Sequence, residues 1–329
     1  MTRAHSLQKL TRRGLLGSAA GALALTVSAP VLRAAAPLNI VATTGMIADT
    51  AQRIGGDLVA VRGLMGPGVD PHGYRQTRSD IVAMTRADAV LWHGLYLEAQ
   101  MESFLADLAR KVPVFAVAEA VPQEKLLSHA DYDGRYDPHV WMDPLLWQDV
   151  TLEITRALSS LQPESTDAFA RNAEEFLGEL DALSAYAVTH LSAVPQEKRV
   201  LVTAHDAFGY FGAAYGFEVV GIQGISTDSE AGLNRISELV SFLVTRGIGA
   251  VFVETSVSDR NIRALIEGAA AQGHDVTIAG ALFSDAMGQE GTYEGTYPGM
   301  IDHNVTTIAA ALGAEVPDRG RLGKLAVGS

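Results

Sequence analysis

Three histidines and one aspartate stand in surroundings that suit metal chemistry. Asp70-Pro71-His72-Gly73-Tyr74 follows the turn Gly66-Pro67-Gly68. Asp137-Pro138-His139-Val140-Trp141 runs on into Met142-Asp143-Pro144. Thr203-Ala204-His205-Asp206 comes directly after a β-branched run, and Leu282-Phe283-Ser284-Asp285 follows the last such run of the chain. Imidazole nitrogens and a carboxylate oxygen are ligands for divalent transition ions, and three of the first with one of the second make an N₃O set. Position alone leaves a plainer reading open. Asp70 and Asp137 can open Asp-Pro turns that merely include His72 and His139. His205 and Asp285 can cap helices or bond to loop backbone.

Two further residues sit at strand ends on the same side. His93, in Leu91-Trp92-His93-Gly94, and Glu254 are candidates to hold a ligand in place, since an acceptor behind a ligand imidazole fixes its tautomer and orientation. His190, His274 and His303 read as solvated or locally bonded histidines. His129 reads as an exposed loop histidine, with metal hand-over as its alternative.

The elements that must position these groups are legible as alternation. Short apolar runs at Leu38–Ala42, Leu58–Leu64, Ala89–Trp92 and Val112–Val117 are strand candidates in the first half. Arg199–Thr203, Phe217–Ile222, Ala250–Glu254 and Val276–Ala279 are those of the second half. Helix-length stretches separate them, among them Leu97–Ala109, Pro144–Leu161 and Met300–Leu312. This pattern predicts an α/β protein of two similar lobes, each a roughly four-stranded parallel sheet flanked by helices. Between the strand sets, Phe169, Phe176, Leu180, Leu183, Ala187 and Leu191 recur on one helical face. That predicts one long linker helix, with an ordinary surface helix as the alternative. The expected divisions are an export segment at 1–36, a first lobe at 37–161, the linker at 162–194 and a second lobe at 195–329. All four candidate ligands fall past the carboxyl ends of strands, where open α/β sheets bind ligands, and two facing lobes would bring them into one cleft.

Composition narrows the function. The 329 residues include no cysteine, so disulfides, thiolate metal sites and a thioether-linked lipid are excluded within this sequence. A net charge of −13 argues against nucleic acid as a partner. All five charged residues of the first 36 are basic: Arg3, Lys9, Arg12, Arg13 and Arg33. An Ala- and Gly-rich apolar run and Ala34-Ala35-Ala36 follow the basic head, as in an export signal. Thr11-Arg12-Arg13-Gly14-Leu15-Leu16 resembles the twin-arginine type. A membrane anchor is the alternative, but the run holds Pro30 and ends at Arg33. Loss of those five basic residues would leave 20 basic against 38 acidic side chains, a net charge of −18.

The motifs together resemble the metal-binding solute receptors of ABC importers, the TroA-like family that carries zinc, manganese or iron. The resemblance covers nearly all of residues 38–312 and is closest at Asp70–Tyr74, Asp137–Pro144, Leu201–Tyr215 and Gly280–Asn304, including Gly295-Thr296-Tyr297. It implies two lobes joined by a rigid long helix, with one metal ion buried between them on His72, His139, His205 and Asp285. Many manganese receptors of the family have Glu where this chain has His205. Many zinc receptors carry a long His- and acid-rich loop before the second ligand, where Glu124–Tyr136 here is short. The implied protein is a periplasmic, soluble, monomeric carrier without a lipid anchor. It would deliver zinc first, or manganese, to a membrane permease and its cytoplasmic ATPase. The competing class is a secreted metallohydrolase on an α/β scaffold. Neither His-Glu-x-x-His nor Gly-x-Ser-x-Gly occurs in the chain, and four protein ligands leave little room for a substrate at a tetrahedral ion. A sheet-edge adhesin is the remaining alternative.

Overall fold

The computed structural model describes residues 36–128 and 134–326. His129 and all but the last residue of the expected export segment lie outside them. In the first half the elements are β1 (Leu38–Ala42), α1 (Gly45–Gly55), β2 (Val59–Gly63), α2 (Arg78–Arg86), β3 (Ala89–Trp92), α3 (Glu102–Leu108), β4 (Val114–Ala116) and α4 (Pro144–Leu161). Then come α5 (Thr166–Leu191), β5 (Val200–Thr203), α6 (Gly209–Tyr215), β6 (Glu218–Gly221), α7 (Leu233–Arg246), β7 (Ala250–Glu254), α8 (Arg260–Ala271), β8 (Thr277–Leu282) and α9 (Tyr297–Ala311).

β2, β1, β3 and β4 pair in that order, all parallel. Alternate residues point to opposite faces. Ile40, Ala42 and Leu91 therefore face the main core, while Val41 and Val90 pack with Met84, Met101 and Leu105 on the other side. The four strands of the second half pair two by two, β5 with β6 and β7 with β8, again parallel. β5 and β7 lie side by side without a ladder between them. Their carboxyl ends are joined instead by a side chain, because Glu254 at the end of β7 accepts the backbone N–H of His205 just past β5 (2.8 Å). β8 runs on to Leu282, beyond the apolar run at Val276–Ala279, through a bulge where its register against β7 shifts.

The long helix is α5. Its 26 residues span about 39 Å at 1.5 Å per residue. Phe169, Phe176, Leu180, Leu183, Ala187 and Leu191 are all buried, at about 1.5–3 kcal/mol for each large side chain. They pack against α1, α4, α6 and α9, so α5 belongs to one core that continues through both halves. Arg53 and Glu179 (2.9 Å), and Tyr186 and Thr306 (2.9 Å), tie its flanks to the two sides.

Two helix starts differ from the sequence pattern. α3 begins at Glu102 rather than Leu97. Gly94, Leu95 and Tyr96 adopt consecutive left-handed conformations (φ 83°, 51° and 66°), and the Glu98 carboxylate is engaged by the N–H groups of His93 and Gly94. The chain is thus turning where the apolar spacing suggested helix. α9 begins at Tyr297 rather than Met300, since the Thr296 side chain accepts the Gly299 N–H (3.2 Å) and Pro298 occupies the first turn.

Candidate metal centre

The two Asp-Pro-His segments fold alike. In each, the aspartate Oδ1 accepts the N–H of the histidine two residues on, at 2.9 Å for Asp70–His72 and 2.9 Å for Asp137–His139. The turns hang from different supports. The first lies in the loop between β2 and α2. The second runs through a short 3₁₀ turn into α4, which Asp143 caps by accepting the Leu145 N–H (2.9 Å) with Pro144 in its first turn. His205 follows β5, and Asp285 follows β8.

These four side chains converge. His72, His139, His205 and Asp285 are buried, and one potential ligand atom from each lies within 4.8 Å of all the others. His72 Nε2 and His139 Nε2 are 3.3 Å apart. Asp285 places Oδ1 3.5 Å from His139 Nε2 and Oδ2 3.3 Å from His205 Nε2. Donors about 2.0–2.1 Å from a tetrahedral ion are about 3.3–3.4 Å from one another, so these separations are those of a coordination shell. His205 Nε2 and Asp285 Oδ1 are buried without a hydrogen-bond partner. Buried polar atoms are seldom left so, and a cation at the centre would satisfy both.

Carboxylates orient two of the rings. Asp137 Oδ1 accepts from His139 Nδ1 (2.7 Å), and Glu254 Oε2 accepts from His205 Nδ1 (2.5 Å). In the neutral ring each bond keeps the proton on Nδ1 and leaves Nε2, with its lone pair, facing inward. The same partners set the charges. Burial opposes protonation of His139, but the Asp137 carboxylate and then Asp285 outweigh it and lift its pKa to about 9. Burial is likewise outweighed at His205, by Asp285 and Glu254, and its pKa stands well above the usual histidine value. Burial also opposes ionisation of Asp285, but the histidines, His205 foremost, hold it well below the carboxylate range. His72 has no carboxylate on its ring, and burial drives it down to about 3, with Asp285 resisting.

His93 lies outside the cluster of four. Its Nε2 donates to the Pro138 carbonyl (2.7 Å) and its ring meets Trp141 edge-on, so it supports the backbone ahead of His139. The other described histidines bond to backbone carbonyls: His190 to that of Glu315, His274 to that of Ile248 and His303 to that of Ala281. The sequence pattern marks Asp137 only as a turn former and does not show its bond to the His139 ring. The signal was present, because an aspartate two residues before a histidine can reach both its N–H and its Nδ1. Nor does the pattern show the struts between the halves. The Trp141 indole N–H donates to the Ser284 carbonyl (2.8 Å), and the Tyr297 hydroxyl donates to the Trp141 carbonyl (2.8 Å). Tyr210 donates to the Asp137 carbonyl (2.8 Å). Asp285 and His139 are therefore fixed to a shared framework. A cleft of about 360 Å³ between α1, the β2–α2 loop and the segment after β8 opens beside Asp285. No helix among the described residues is long and apolar enough to cross a membrane.

Known proteins share this arrangement of chain. Residues 40–311 match the family described as the periplasmic component A of zinc-uptake complexes (ZnuA). The manganese-binding lipoprotein MntA of Bacillus subtilis is 49% identical over 275 residues, which cover 84% of this chain and 90% of that protein. The zinc-binding protein TroA of Treponema pallidum is 45% identical over 273 residues, 83% of this chain and 88% of TroA. The solved structure of periplasmic TroA from that organism superposes with a TM-score of 0.82, covering 84% of this chain and 99% of the other.

Proposed function

Because the chain belongs to the family of periplasmic zinc-uptake component A proteins, we propose that it captures one divalent transition ion as cargo on His72, His139, His205 and Asp285. The relatives are metal receptors rather than enzymes, and the metallohydrolase reading is set aside. The observation that carries the proposal is the convergence of four buried donors, two of them unpartnered, at coordination spacing. Residues 37–161 and 195–329 act as the two lobes about a linker at 162–194, and the ion is held between them. Zinc is the preferred cargo. Three imidazoles and one carboxylate suit it better than manganese, which favours more oxygen. The two oxygens of Asp285 face two different histidines, so a two-toothed carboxylate supports manganese as the second choice. The names of the two relatives divide the same way.

The carrier is read as a soluble monomer exported to the periplasm through a twin-arginine signal. It hands its ion to a membrane permease driven by a cytoplasmic ATPase. The B. subtilis relative is named a lipoprotein, but this sequence offers no cysteine for a thioether-linked lipid. Release is expected to need the permease, because the continuous core around α5 and the Trp141–Ser284 and Tyr297–Trp141 bonds favour small rocking movements over wide opening.

The test is metal analysis of the exported protein with competitive titration of metal-free protein by zinc and manganese. Asp285→Ala is expected to weaken zinc binding by more than tenfold, since it removes the one anionic ligand and leaves the buried ion with imidazoles alone. His205→Glu is expected to shift the preference toward manganese. Unchanged zinc affinity in Asp285→Ala would remove Asp285 from the ligand set.

A further inference from the structure

The three ligand histidines are not held alike. His139 and His205 each have a carboxylate on Nδ1, from Asp137 and Glu254. Among the described residues no such acceptor meets the His72 ring. His72 is held through its backbone, whose N–H donates to Asp70 Oδ1 (2.9 Å). The segment around it, residues 64–77, contains neither helix nor strand. A ligand on an irregular loop keeps its place only if something stiffens that loop.

The second oxygen of Asp70 shows what does so. Asp70 Oδ2 accepts the hydroxyl of Thr227, which reaches across from the other half of the protein (2.5 Å). Thr227 lies in residues 222–232, which also lack helix and strand and lead from β6 to α7. The two loops pass close enough that a Cβ at Gly73 would come within 3.9 Å of Asp228 Oδ1. One carboxylate therefore serves a ligand's backbone with one oxygen and the opposite half with the other.

We infer that Thr227 is a positioning residue that latches the His72 loop to the second half of the protein, so that metal is retained while the Thr227–Asp70 bond is closed. Separating the halves at this edge breaks that bond and frees the Asp70–His72 turn. The struts at Trp141 and Tyr297 do not reach that turn. His72 is then the ligand that yields first, and a partner acting on residues 222–232 would promote release without touching a ligand. The inference rests on the reading of His72 as a ligand.

The test is the rate of zinc loss to excess chelator from loaded full-length protein, measured with the zinc association rate and the thermal stability of the metal-free protein. A hydrogen bond to a charged group is worth enough that Thr227→Val should release zinc about tenfold faster. Association should stay at the parent rate, and Thr227→Ser should restore slow release along with any stability lost by the metal-free protein. In an Asp70→Ala background the Thr227→Val effect should vanish, because the two residues act as one unit. Thr227→Ala reads the same rate should the valine variant not fold. Parent-like release in Thr227→Val, or an equal acceleration in the Asp70→Ala background, would overturn the latch while leaving the metal site standing. Full zinc affinity in His72→Ala would overturn both.

Discussion

Replacing Glu254 by glutamine tests how the site fixes the state of the His205 ring. Glu254 receives two donors, the backbone N–H of His205 at 2.8 Å and its ring Nδ1–H at 2.5 Å. Glutamine has nearly the same shape but only one oxygen. In either amide orientation, an NH₂ group would face a donor. The buried site can relieve this by moving the His205 proton from Nδ1 to Nε2, which puts a hydrogen where the metal lone pair should be. Loss of an orienting partner behind a ligand costs about 10–100-fold in metal affinity, or about 1.4–2.8 kcal/mol. Where His205 is neutral the metal-free fold should be nearly unaffected, since the shifted tautomer satisfies both groups. Asp285 and Glu254 also hold His205 protonated and so oppose metal entry in acid. The affinity deficit of Glu254→Gln should therefore be largest in alkaline solution and shrink as pH falls. Competitive titration against a chromophoric chelator at several pH values, with thermal unfolding of the metal-free protein, measures both. Zinc affinity in Glu254→Gln within about twofold of the parent at alkaline pH would refute the tautomer argument.

The cationic histidines predict that metal binding releases protons. His139 titrates at about 9 and His205 well above the usual histidine value, so zinc affinity should climb with pH through neutrality and level off only above about 9. Flat affinity between pH 6 and pH 9 would contradict this. For the metal-free protein, a folded-state pKa raised above the unfolded one means that the His139 contribution to stability is complete below the unfolded value of about 6.5 and is lost as pH rises through about 9. Unfolding measured across that window should show stability falling with pH from this group. Gly299→Ala addresses the frame rather than the site. A Cβ there would lie 1.7 Å from the Tyr293 carbonyl oxygen, so the start of α9 must shift. Thermal unfolding should report a loss of about 3 kcal/mol or more. An unchanged midpoint would mean that the turn before α9 is not fixed.

The amino-acid sequence by itself determined which chemistry was on offer. The absence of cysteine confined any tight metal site to nitrogen and oxygen. The Asp-Pro-His pair and the residues after two strand runs supplied those atoms, and β1, β3, β7 and α4 fell where local pattern put them. Such features are legible because they depend on neighbours within a few residues: alternation, a helical face, a proline after a capping side chain. Where a distant group intervened, local pattern failed. Leu97–Met101 has helical apolar spacing but turns, because Gly94–Tyr96 reverse the chain and the Glu98 carboxylate accepts the hydroxyl of Thr43, 55 residues away (2.6 Å). The second-half strands pair in twos, and Glu254 closes the seam that a ladder would have closed. The states of the candidate ligands are likewise tertiary properties. In the metal-free protein the pKa of His139 is lifted to about 9 and that of His205 well above the usual histidine value, while that of His72 falls to about 3, because Asp137, Glu254 and Asp285 surround the first two and only Asp285 opposes burial at the third. No spacing encodes that difference, since the Glu254–His205 bond joins residues 49 apart and the Thr227–Asp70 bond residues 157 apart.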